Sequence, residues 1–345
     1  MFGTRKRLQV GALLCGLLTL IAGSRLAIAQ TLTDFTMAVF QSEVYLADYV
    51  VKDKGFGAKH GLNIKFVTPA SGAAAAQLML AGAIQGWATD PLIILNAANQ
   101  GHDIKMAGIV TPRLMYTILV RKDAAWPAED APFVEKMAGL KGKRIGVSGI
   151  GAGTDNALIL MLKAAGLSAA DVTRVGIGQQ QAAIGQLGAG SIDAFVSFSL
   201  AGNAIIQQQT GARLYITTRA PIVPEAVQAV PHFAFAVAGE FAAKNPKQVA
   251  GWLAAEQEAM AWIRNNPDEA ATILDKYVFN SQQPDLARKI IPQMLSTYFV
   301  NIFPGFKIPR KAFAALQGAS RELATVQAVK PATFADVVLP SARGD

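Results

Sequence analysis

The chain has 345 residues, 52% of them hydrophobic and 16% charged, with a formal net charge of +8 and a single cysteine, Cys15. A chain of this length usually divides into two domains, and its apolar content fills two cores. The basic excess is spread thinly, without the Lys/Arg cluster that nucleic-acid binding requires, so no nucleic-acid partner is expected.

The N-terminus places Arg5, Lys6 and Arg7 before an apolar stretch, 10–22, and then Ala27-Ile28-Ala29 ahead of Gln30. That is the order of a secretory leader cleaved after Ala29, so residues 1–29 are expected to be removed on export. Gly11, Gly16 and Gly23 interrupt the apolar run and Ser24-Arg25 close it, which argues against a membrane anchor. Arg5, Lys6, Arg7 and Arg25 leave with the leader, which halves the net charge to +4. Cys15 leaves too, so the mature chain has neither a disulfide nor a thiol nucleophile. Lipid attachment at Cys15 is not expected, because Leu14 is bulky and the apolar run continues past it.

Downstream, strand-like and helix-like segments alternate, the pattern of an α/β protein with largely parallel sheets. Segment 35–40 reads as a strand, and 43–53 places Val44, Ala47, Val50 and Val51 on one helical stripe. Leu62, Ile64 and Phe66 alternate with polar residues as a half-buried strand. Helix 72–82, strand 85–88, helix 91–99 and strand 104–110 complete a first series. A second begins with the strand-like MYTILV from Met115 and crosses a polar, proline-containing segment, 122–139. It then continues as strand 144–147, helix 154–165, strand 174–177, helix 180–188, strand 194–197, helix 200–209 and strand 214–217. Pro221, Pro224 and Pro231 predict a stiff extended linker over 219–231, after which HFAFAVA reads as a strand. Asn245-Pro246 and Asn266-Pro267 each place an N-cap asparagine before a first-turn proline. With helices near 285–298 and 310–325, the tail is mostly helical.

Several stretches, in this order, resemble the substrate-binding proteins of nitrate/sulfonate/taurine-type ABC importers, a family that also includes thiamine-pyrimidine-precursor binding proteins. They are KGFGAKHGLNIKF (54–66), AAQLMLAGAIQGWATDP (75–91), LKGKRIGVSGIGAGTDNALILMLKAAGL (140–167), SIDAF (191–195) and 241–274. The resemblance implies a type II periplasmic binding protein fold with two doubly wound lobes. Lobe 1 would be 30–115 plus 232–345, lobe 2 would be 116–231, and two hinge crossings would join them across a ligand cleft. It further implies a periplasmic monomer that binds a small-molecule solute and hands it to an inner-membrane ABC permease with a cytoplasmic ATPase, using no cofactor.

Ligands of doubly wound sheets bind beyond the carboxyl ends of the strands, where loops lead into helix N-termini suited to anions. Four such loops are readable: Gln41-Ser42, Ser71-Gly72, Ala88-Thr89-Asp90, and Gly151 to Thr154 with Gly153. The last is no dinucleotide fingerprint, since Thr154 or Asn156 falls where the third glycine belongs, and it lacks the Gly-Lys pair of a P-loop. It reads either as a glycine turn capped by Thr154 or as a ligand contact, and both can hold. Ser71 and Asp90 have the same ambiguity as N-caps, and an Asp90 facing the cleft would oppose an anion and favour an amine or hydroxyl. Trp87, Tyr116 and Phe198 are candidates to cover an apolar part of the solute, with core packing the alternative. Ser197 is a candidate where the resemblance puts lobe 2 contacts. His60, His102 and His232 have no metal-site spacing and read as incidental placements, with facing the cleft the alternative for His232 at the start of the hinge strand. With no Ser/His/Asp or paired-carboxylate constellation, a solute-binding receptor is expected rather than an enzyme. A pyrimidine-precursor binding or synthase protein of the same fold, a deaminase of that fold, and a ligand-presenting sensor subunit remain the alternatives.

Overall fold

The computed structural model describes residues 31–298, 304–323 and 331–344. The leader with its cleavage site at Ala29 lies outside the described residues, as do the last two residues of the helix expected over 310–325.

Short β-branched and aromatic runs alternate with helical stretches from the first strand onward. In chain order the elements are β1 (Thr33–Ala38), α1 (Leu46–Asp53), α2 (Phe56–Lys59), β2 (Leu62–Val67), α3 (Gly72–Leu80), β3 (Gly86–Thr89), α4 (Pro91–Asn99) and β4 (Ile104–Thr111). There follow β5 (Thr117–Val120), α5 (Phe133–Ala138), β6 (Arg144–Val147), α6 (Gly153–Ala164), β7 (Thr173–Gly176), α7 (Gln181–Gly188), β8 (Ala194–Ser197), α8 (Leu200–Thr210) and β9 (Arg213–Thr217). The chain then forms α9 (Glu225–Gln228), β10 (His232–Ala238), α10 (Gly239–Lys244), α11 (Pro246–Asn265), α12 (Pro267–Val278), α13 (Pro284–Thr297), α14 (Arg310–Leu323) and α15 (Phe334–Val337).

These strands make two five-stranded sheets, ordered β2-β1-β3-β10-β4 and β7-β6-β8-β5-β9. Parallel pairing joins β1 to β2 and β3, and β6 to β7 and β8. The sheets are mixed rather than largely parallel, because the two strands that follow a crossing run backwards: β10 against β3 and β4, and β5 against β8 and β9. Each enters its sheet from the side opposite to the βα units, so antiparallel pairing is the only direction open to it. Under the first sheet, Trp252 of α11 packs its ring 5.3 Å from Phe35 and 5.0 Å from Phe235. Gly86 makes this approach possible, since a Cβ there would lie 2.7 Å from the Phe35 ring.

Three local expectations change. Segment 219–231 is not extended: it turns at Arg219 and folds into α9, where Gln228 donates its amide to the Val223 carbonyl at 2.8 Å and thereby holds the loop together. Asn245 and Asn266 stand at N-cap positions without capping the helix ahead. Their amides instead donate backward to the carbonyls of Phe241 and Trp262, closing the preceding helices. The N-cap of α6 is Ala152, not Thr154, whose hydroxyl accepts from the Ser148 amide at 2.9 Å.

Candidate functional site

The carboxyl ends of β1, β2 and β3 in one sheet face those of β6, β7 and β8 in the other, and the loops leaving them enclose a cavity of about 540 Å³, open solvent at its mouth included. That size suits a small solute. Ser71, Gly72, Trp87, Thr89, Asp90, Tyr116, Gly153, Thr154 and Phe198 all line it. Four expected residues do not. Gln41 lies outside, its carbonyl facing the Gln181 amide at 3.3 Å. Ser42 is fully buried and caps the turn 43–45. Gly151 takes the left-handed conformation and gives its N–H to Asp155, which is held in turn by Arg174. Ser197 is turned inward, donating to Gln180 Oε1 at 2.5 Å. In Ser42, Gly151 and Ser197 the polar group satisfies the scaffold around the cavity, whereas the exposed Gln41 meets the exposed Gln181 of the other half.

Two helices present unsatisfied N-termini to this space. On α3, Ser71 Oγ accepts from Ala74 N–H, which leaves the N–H groups of Gly72 and Ala73 without a partner among the described residues. On α6, no side chain caps the start, and the N–H groups of Gly153 and Thr154 are likewise open. The first belongs to the first sheet's half and the second to the other half. Glycine is required at Gly153, because a Cβ would overlap the Tyr116 hydroxyl and lie 2.8 Å from Asp90 Oδ2. Exposed helix N–H groups with the positive end of the helix dipole attract an anion.

Asp90 is both cap and wall. Its Oδ1 accepts from Leu92 N–H at 2.8 Å and its Oδ2 from the Tyr116 hydroxyl at 2.9 Å. Burial raises its carboxyl to about 6, only partly offset by those two hydrogen bonds. Burial, with Asp90 beside it, pushes the Tyr116 hydroxyl well up, so it stays protonated and donates. Among the described residues, no lysine or arginine lines the cavity.

The rest of the wall is aromatic. Phe40, Tyr45, Phe233, His232 and Tyr116 form one continuous ring chain, with centroid separations of 5.8, 5.8, 4.5 and 4.6 Å. Trp87 closes another side, its ring 3.6 Å from where a Gly72 Cβ would stand. His232 takes the second of its two sequence readings and faces the cavity; it is 1% exposed and burial drives its imidazole down to about 3, so it is neutral. Trp87 Nε1 and His232 Nδ1 are buried without a hydrogen-bond partner among the described residues. Phe233 carries a left-handed backbone, φ +52°, at the start of β10. A bulky residue there is strained, and the ring chain on either side fixes it. Of the other histidines, His60 sits 3.5 Å from Glu258 at the surface and His102 is exposed.

Sequence reasoning missed Gln179 and Gln180 before α7, Ser148 at the end of β6, and the Phe40–Tyr45 pair. The glycine turn at Gly178, just past β7, was the available signal for the first two. At the mouth, Gln179 donates across to the Pro69 carbonyl at 2.8 Å, so the two halves touch.

The fold is widely shared. It matches an alkanesulfonate-binding protein from Xanthomonas axonopodis pv. citri, solved bound to MOPS, at TM-score 0.71 and 18% identity over 89% of this chain and 98% of that one. It matches a periplasmic nitrate-binding protein from Synechocystis at 0.59 and 17%, over 72% and 67%. A desulfurization enzyme also matches, at 0.53 and 15%, over 84% and 91%. These likenesses establish the periplasmic-binding-protein fold. No curated protein sequence matches the chain. A family model, described as NMT1/THI5 like, matches residues 43–270, a stretch that runs from the turn after β1 into α12 and takes in every loop of the cavity after Phe40, and the chain therefore belongs to the NMT1/THI5-like family.

Proposed function

We propose that the protein is an exported solute-binding component of an ABC importer, a monomer that captures a small organic anion between its two sheets. The lobes would be 30–115 plus 232–345 and 116–231, hinged at the crossings before β5 and before β10. The observation that carries the reading is the pair of open helix N-termini, α3 and α6, one from each half, converging on one aromatic-walled cavity. An anionic group seated between Gly72-Ala73 and Gly153-Thr154 draws both halves onto itself, which couples binding to closure. The ring chain takes the apolar part of the solute. Without a lysine or arginine in the wall, the site suits a single delocalised charge such as a sulfonate or carboxylate rather than a dianion, and Asp90 adds a place for a hydroxyl or amine on the same molecule.

Several sulfonate and nitrate binders share the fold, which supports a permease and its ATPase as partners and a periplasmic site of action. A non-enzymatic role fits the wall chemistry. Ser148, just past the end of β6, bonds Thr154 at 2.8 Å, and the neutral His232 is no part of that pair. Calorimetry of chain 30–345 against sulfonates, taurine, nitrate, carboxylates and pyrimidine precursors tests the reading. Saturable one-to-one binding of a monoanion is expected. Heatless titrations across the panel, or turnover of a bound compound, overturn it.

A further inference from the structure

Glu43 bridges the two halves without touching the cavity. It stands in the turn 43–45, after β1 of the first sheet, and is fully buried. Its Oε2 accepts from Ser199 Oγ at 2.5 Å, Ala201 N–H at 3.2 Å and Ser42 Oγ at 3.2 Å. Its Oε1 accepts from Leu200 N–H at 2.6 Å and the Tyr298 hydroxyl at 3.0 Å. Three of those five donors are Ser199, Leu200 and Ala201, the N-cap and first turn of α8 on the second sheet. The carboxylate therefore sits where an anion sits at a helix N-terminus, and its two shortest hydrogen bonds, from Ser199 Oγ and Leu200 N–H, have the lengths of charge-assisted ones. While α3 and α6 keep open termini, the chain itself has filled that of α8.

We propose that Glu43 is a built-in anion that clamps the two halves together before any solute arrives, so that the free protein already populates the closed form. This rests on the proposed reading that the halves hinge about the crossings. Tyr45 and Phe233 stand between Glu43 and the ligand cavity: both rings line that cavity, and Phe233 also lines a second, inner space of about 390 Å³ that Glu43 borders. Glu43 is thus a positioning residue. It acts on affinity through the fraction of molecules already closed, since an apparent dissociation constant scales inversely with the binding-competent population. The solute then completes a closure that one internal carboxylate has begun.

The test needs no ligand. Gln77 on α3 and Ala182 on α7 are exposed positions on opposite halves, and residues 30–345 contain no cysteine, so spin labels on Gln77→Cys and Ala182→Cys report the distance between halves. In the free protein a single short distance is expected. Glu43→Gln places an N–H group against the α8 donors, and the closed fraction should fall about tenfold or more, with a second, longer distance appearing. Tyr298→Phe, which removes one donor and leaves the α8 contacts, should fold whatever Glu43→Gln does and shift the same distribution less. Identical distributions in wild type and both variants overturn the clamp, as does a wild type already as open as Glu43→Gln. A shift with no solute bound by any member of the panel leaves the clamp standing and removes the transport reading instead.

Discussion

Replacing Asp90 by Asn separates the two roles of this side chain, because the amide keeps an acceptor for the Leu92 N–H but cannot ionise. In the folded protein the carboxyl is raised to about 6 from its ordinary 3.8. Between those values the native state holds a proton that the unfolded chain has released. Asp90 therefore stabilises the fold fully below pH 3.8, and this contribution is lost as pH rises through 6. The full swing is about 3 kcal/mol at about 1.4 kcal/mol per pKa unit, of which about 2 kcal/mol falls between pH 4.5 and 7.5. Urea unfolding followed by tryptophan fluorescence at those two pH values should show Asp90→Asn gaining about that much on wild type as pH rises. Binding should follow the same group. A simple alkanesulfonate that needs Asp90 protonated binds about thirtyfold more weakly to wild type at pH 7.5 than well below pH 6, and the variant should lose that dependence. Parallel stability profiles would refute a raised carboxyl. Weaker sulfonate binding by Asp90→Asn at pH 7.5 would show that the charge serves the ligand, and the anion seat would have to be given up.

His232 carries the opposite sign: its imidazole is depressed to about 3 by burial, so the fold must exclude a proton that the unfolded chain takes up below about 6.5. His232→Gln should remove about 3 kcal/mol of the stability that wild type loses between pH 7 and 4, read by the same unfolding assay. Gly153→Ala should drive the new methyl into the Tyr116 hydroxyl and break the Tyr116–Asp90 hydrogen bond, costing about 1–3 kcal/mol and most of the solute affinity, read by thermal melting and calorimetry. Asp48 on α1 and Glu256 on α11 are buried against each other, both raised by burial, with Asp48 Oδ1 and Glu256 Oε2 lacking any other partner, so the pair keeps a shared proton. Such a pair loses its stabilising contribution as pH rises, and Glu256→Gln should unfold at higher denaturant than wild type at pH 9 while differing little at pH 5.

What was legible in the sequence follows the range of the interaction that decides it. Ser71 and Asp90 could be placed at helix starts because capping is settled within three residues, and both hydroxyl and carboxylate are where the local rule puts them. The same rule failed at Thr154 and at the two Asn-Pro pairs. There the polar side chain had a competing partner a few residues back, Ser148 for Thr154 and the previous helix's last carbonyls for the asparagines. Strand positions came through, but the reversed direction of β5 and β10 did not, since both faces of a buried strand read alike whichever way it runs. His232 was placed at the start of the hinge strand, where facing the cleft was the lesser of two readings, because its surroundings, Tyr116 and Phe233, come together only when the second crossing returns to the first sheet.

Glu43 shows the limit most sharply. In sequence it is an acidic residue opening an amphipathic helix, favourable at any helix N-terminus and unremarkable for that reason. In the structure it serves a helix 157 residues away, Leu200 N–H to its Oε1, rather than its own. The choice between the two termini is made by burial. At full burial a carboxylate needs several donors at once, and only α8 brings two backbone N–H groups and a serine hydroxyl to the place where β1 ends. Asp90 on α4 meets the same demand within its own turn and spends its second oxygen on Tyr116 from the other side of the cleft. The termini of α8 and α4 are thus quenched by the chain's own carboxylates, while α3 and α6 each keep two N–H groups open. The open ones, α3 and α6, start from glycine and small residues, and the one acid in the first turn of α6, Asp155, is engaged by Gly151 N–H and Arg174; on the proposed reading, this difference is what leaves room for one external anion.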